Sequence, residues 1–187
     1  MGGARTVKEV RVSILEWLGL RPATDHGSQA ETEAVRKIAD ELDGLDRDRA
    51  RYIAAFAYVL SRVAGADLDI SEDETHAMER IVADHGRLPD PQAVLVVRMA
   101  KSHNLLFGGT DNYLVTRELS RIADRDRKVA ILECLFAVSA ADDSVSTVED
   151  NTIRQIAAEL LLERTDVVAA RRLVREHLAV LKKSRLD

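Results

Sequence analysis

The chain has 187 residues, 46% of them hydrophobic and 32% charged, and a formal net charge of −5. That is enough sequence for one domain with a sizeable core and a small appended arm, without an apolar run long enough to span a bilayer. The acidic balance argues against general nucleic-acid binding, which needs a basic face, and a single cysteine excludes an internal disulfide or a cysteine zinc cluster.

Aromatic residues make up only 4% and there are only 3 prolines, while Ala, Leu, Arg and Glu recur. That mixture favours helices. The N-terminus lacks the apolar run of a signal peptide. Met1, Gly2 and Thr6 do fit an acylation pattern, but no polybasic patch follows to reinforce a single acyl chain. Thr6–Leu18 reads as a helix with Val7, Val10, Ile14, Trp17 and Leu18 on one face and Arg5, Lys8 and Arg11 off it. Packing onto the main body is the plain account of that face; a membrane-surface arm is the alternative. Pro22 and two glycines mark residues 19–28 as a linker. The expected organisation is therefore a helix and linker over 1–28 and a helical domain over 29–187.

Within that domain, Gln29–Leu42 carries Ala30, Ala34, Ile38 and Leu42 in helical register. Arg47–Ala64 is nearly apolar all round between Tyr52 and Leu60, which places it inside a bundle. Ser71 opens the next helix, and Gly86 is positioned to close it as a left-handed C′ residue. Further helices follow from Pro89-Asp90-Pro91 to about Leu105, over Tyr113–Ile122, Arg125–Ala140, Ser146–Leu162 and Thr165–Leu181. Cys134 sits in the apolar run Val129–Val138 and reads as a small buried hydrophobe. No alternating strand pattern occurs. The expectation is an all-α, single-domain bundle of about seven to nine helices.

The most informative feature is an internal repeat, with units of about 47–86 and 125–162 set 75 positions apart. Ala66-Asp67 aligns with Ala141-Asp142, Ile70-Ser71 with Val145-Ser146, and Glu74 with Glu149. Upstream, Leu60 and Val63 pair with Leu135 and Val138; downstream, Met78, Ile81 and Ala83 pair with Ile153, Ile156 and Ala158. The shared string Asp-x-x-[Ile/Val]-Ser-x-x-Glu joins an apolar helix to an amphipathic one. Ser71 and Ser146 suit an N-cap, with Glu74 and Glu149 completing a capping box three residues on. Architecture alone thus accounts for both serines and both glutamates. It accounts less well for Asp67 and Asp142, since a carboxylate at a helix C-terminus opposes the macrodipole.

Duplicated hairpins often pack about a pseudo-twofold axis, an arrangement that would bring the two loops together. Asp67, Asp69, Glu74, Asp142, Asp143 and Glu149 would then form a single acidic cluster suited to a hard divalent cation, Ca²⁺ or Mg²⁺. An EF-hand is excluded by spacing. Starting from Asp67, Glu72 falls where Gly is required and Met78 where a bidentate Glu is required; starting from Asp142, Ile153 falls at that last position.

Ala-Asp-x-x-Ile-Ser-x-x-Glu after a small-residue-rich apolar helix, duplicated later in the chain, resembles the tellurite-resistance TerB-like family, which includes the N-terminal domain of the DjlA co-chaperone. The resemblance covers roughly Arg47–Leu162 and rests on Ala66, Asp67, Ile70 and Glu74, then Ala141, Asp142, Val145 and Glu149. Leu68 and Asp143 stand where the family commonly has glycine. The resemblance implies a two-halved helical bundle, a divalent-metal site lined by the loop acids, and a role in stress or toxic-anion resistance. It also implies protein partners, including complexes at the inner face of a bacterial membrane, and hence a cytoplasmic or membrane-peripheral location. Homo-oligomerisation is left open.

No enzyme chemistry is legible. None of the five histidines forms a His-Glu-x-x-His pair, and neither a phosphate-binding glycine loop nor a nucleophile elbow appears. Arg171, Arg172, Arg175, Lys182, Lys183 and Arg185 gather toward the C-terminus, where the helix dipole favours cations. A solvated face is the plain account of them and an anionic partner surface the alternative.

Overall fold

The computed structural model describes residues 29–64, 70–102, 106, 113–141 and 145–184. Among them are helices α1 (Gln29–Asp43), α2 (Arg47–Ala64), α3 (Glu72–Gly86), α4 (Asp90–Lys101), α5 (Tyr113–Ile122), α6 (Arg125–Ser139), α7 (Thr147–Glu159) and α8 (Arg164–Ser184), and no strand. The protein is an all-α bundle. The expected N-terminal helix and linker lie outside the described residues. No helix among those described is long and apolar enough to cross a membrane.

The centre is built from α2 and α6, the apolar first helices of the two repeats. Every side chain from Tyr52 to Ser61 and from Ala130 to Ser139 is buried, Cys134 among them. Helices covered on all sides need their polar groups satisfied. Ser61 does so by donating its hydroxyl to the Tyr58 carbonyl at 2.7 Å. The surrounding helices bury one stripe each, as Val35, Ile38 and Leu42 do on α1 and Val167, Ala170 and Val174 on α8.

The two repeats pack crosswise. The second helix of the first unit, α3, lies on α6 of the other unit; α7 packs equally on α2 and on its own first helix α6, and α2 and α6 touch. The helix after each unit flanks that unit's own first helix, α4 beside α2 and α8 beside α6. Near the pseudo-twofold axis, residues related by the repeat meet: the Arg127 guanidinium lies 5.5 Å from the Tyr52 ring centroid. Arg49 approaches the same ring at 5.3 Å. Burial outweighs both cations and pushes the Tyr52 hydroxyl up to about 12.

The ends of α3 and α7 share one device and correct one expectation. Gly86 is not the left-handed residue. That position falls to Arg87 (φ 53°) and, in the second unit, to Leu161 (φ 59°). The Leu88 N–H bonds the Ala83 carbonyl at 3.1 Å and the Leu162 N–H bonds that of Ala157 at 2.9 Å, closing each helix with a Schellman turn. Gly86 is needed for a different reason. A Cβ there would stand 2.9 Å from Cε1 of the buried Phe56 ring, so its bare backbone lets α3 approach α2.

Candidate functional site

Each repeat turns its acidic corner with the same local chemistry. Before α3, Ser71 is extended (φ −60°, ψ 168°); before α7, Ser146 repeats this at φ −67°, ψ 159°. The Ser71 N–H donates to Glu74 Oε2 at 2.8 Å, and the Glu74 N–H donates to Ser71 Oγ at 3.3 Å. Ser146 and Glu149 make the same pair at 2.8 and 3.2 Å. Both capping boxes are formed as the sequence implied. The Ser71 hydroxyl also donates to Glu74 Oε2 at 2.8 Å, and it joins the Ser71 N–H in holding that carboxyl below the usual carboxylate range.

The glutamates reach these bonds through Oε2 alone, which leaves the second oxygen of each uncommitted among the described residues. The other four acids of the anticipated cluster, Asp67, Asp69, Asp142 and Asp143, lie outside the described residues. Among those described, no three His, Cys, Asp or Glu side chains come together as a metal site. His76 is on the surface beside Glu79 at 2.9 Å.

Two ion pairs tie the far ends of the second helices to the first helices of the opposite units. Arg62, near the end of α2, meets Glu159, the last residue of α7, with N–O distances of 2.6 and 3.1 Å. In the other half Arg87, just past the end of α3, meets Glu133 on α6 at 3.4 Å. The C-terminal end of each second helix therefore meets the other unit's first helix. Ser146 lies at the opposite end of α7 from Glu159, about 20 Å along the axis at 1.5 Å per residue.

Sequence periodicity did not reveal the Arg62–Glu159 pair. Both side chains are largely covered, 19% and 14% exposed. Burial pushes the Glu159 carboxyl up, but bonds and charge from Arg62, with help from Thr116 and Gln155, prevail and hold it below the usual range. The only sequence signal was a lone arginine near the end of an apolar helix, which calls for a carboxylate somewhere without naming it.

A paired helical hairpin with a capped acidic corner in each copy is the frame on which the sequence resemblance rested. The profile of the family described as tellurite resistance protein TerB matches residues 52–172, which span both corners and the crosswise core. The chain belongs to the TerB family. No significant match was found among curated proteins or among solved structures. The TerB match begins inside α2 and ends inside α8, so both central helices, α2 from Tyr52 and α6 throughout, fall within it.

Proposed function

We propose that this TerB-family chain is a non-enzymatic sensor, scaffold or adaptor in stress or tellurite resistance. On this reading it binds a divalent cation at the acidic corners of its two repeats. One observation carries the reading: both corners present a glutamate whose capping role uses only one carboxylate oxygen. Asp67 and Asp69 would join Glu74 at one corner, and Asp142 and Asp143 would join Glu149 at the other. Such donors suit Ca²⁺ or Mg²⁺, which take oxygen ligands, and leave no soft ligand to favour zinc. The cation would offset the charge of Asp67 and Asp142, which follow α2 and α6 in the sequence, and would bind the folded chain alone. The protein acts in the cytoplasm, peripheral to the inner membrane, through protein partners.

Thermal unfolding with added Ca²⁺ or Mg²⁺ tests this. A cation that binds only the native state raises the midpoint, and Asp67→Asn combined with Asp142→Asn is expected to abolish the rise. Titration calorimetry should count two ions per chain, one lost with each single substitution. Absence of a response to either cation in the parent protein would sink the metal reading. What would then stand is a metal-independent interaction module akin to the DjlA N-terminal domain. That reading is favoured by the completeness with which capping explains Glu74 and Glu149.

A further inference from the structure

The C-terminal helix carries a charged recess that the acidic corners do not explain. Arg164, Arg171 and Arg175 recur on α8 at intervals of seven and four residues, so they share one face. Arg172 adjoins them, and Arg154 approaches from α7 across a recess of ≈520 Å³. Five arginines thus converge in a chain whose net charge is −5. Three already hold carboxylates: Asp150 lies 2.7 Å from Arg154 and 3.2 Å from Arg171, and Glu176 lies 2.7 Å from Arg172. Arg164 and Arg175 are exposed and have no ion pair among the described residues. Between them, Val168 is 60% exposed.

We infer that this recess binds an acidic, extended segment of a partner protein. Its charge is complementary to such a segment, and three of its arginines already hold carboxylates of the chain itself. Spacing supports the same occupant. Arg171 and Arg175 are separated by about 6 Å along the helix, close to the roughly 7 Å between alternate residues of an extended chain. A segment carrying glutamate at every second residue would therefore place successive carboxylates against successive arginines. A bilayer surface fits less well, because Arg154 and the α8 arginines line a recess and not a ridge.

The test is fluorescence anisotropy with a fluorescein-labelled peptide that alternates glutamate with alanine, added to the full chain. Saturable binding that weakens with salt is expected. Arg164→Glu with Arg175→Glu should weaken it about tenfold or more, while circular dichroism and the unfolding midpoint stay unchanged. Arg164→Lys with Arg175→Lys should retain part of the affinity, because charge survives without the fork. Several outcomes would overturn the inference. They are no peptide binding, equal binding by the glutamate double variant, binding only to phosphatidylglycerol vesicles or inorganic phosphate, and a self-dimer that the same double variant dissolves. None of these depends on a metal, so this inference and the cation reading fail independently.

Discussion

Leu161 and Gly86 show how a local rule can be right about a device and wrong about the residue. The sequence promised a left-handed closure at Gly86, but the closure sits one residue later at Arg87, and in the second unit at Leu161. Leu161 occupies that conformation with a side chain 81% exposed, so it gains little from burial to offset the strain. A left-handed non-glycine residue costs about 1–2 kcal/mol, part of which glycine returns through its freer unfolded chain. Leu161→Gly is therefore expected to stabilise the fold by about 0.5–1 kcal/mol in chemical denaturation. A loss of stability would show that the exposed leucine packs against something beyond the described residues. Gly86 was misread because periodicity reports the end of a helix but not what lies across from it. Only the packed structure reveals the Phe56 ring that excludes a Cβ.

Among the elements, the second helices of the repeats were the most legible part of the chain. Their starts are set by contacts between residues three apart, Ser71 with Glu74 and Ser146 with Glu149, so the information is local and survives in sequence. The burial of α2 and α6 was legible for the same reason, since an apolar residue at nearly every position leaves no solvent face. Equivalence of the two caps can be checked energetically. Ser71→Ala and Ser146→Ala should each cost about 1 kcal/mol, the ordinary worth of a serine N-cap. The two losses should add in the double variant, because the caps share no partner. Coupling between them, measured as a departure from additivity in urea unfolding, would indicate that the corners communicate, as an ion bound jointly by both loops would require.

At the scale of the whole molecule, what the sequence could not supply was the partner of each hairpin. A repeat announces two like units but not whether each second helix folds back on its own first helix or crosses to the other. The crossing is fixed by contacts such as Arg62–Glu159, whose residues are 97 positions apart and lie outside any repeat pattern. This pair joins α2 to α7 and makes the interlock sensitive to acid. Because the Glu159 carboxyl titrates below its ordinary value of 4.5 in the folded protein, its contribution is fully present above that value. It is lost as pH falls through the depressed folded value. Glu159→Gln removes the carboxylate charge that faces Arg62 and is expected to cost about 1–3 kcal/mol at neutral pH. The gap between parent and variant should stay level from neutrality down to the ordinary carboxylate range and narrow below it, where the parent's own carboxyl takes up its proton. Urea unfolding at a series of pH values measures that gap directly. A gap that persisted undiminished into strong acid would mean that Glu159 acts through shape and neutral hydrogen bonds, and that charge does not hold the two repeats in their crosswise arrangement.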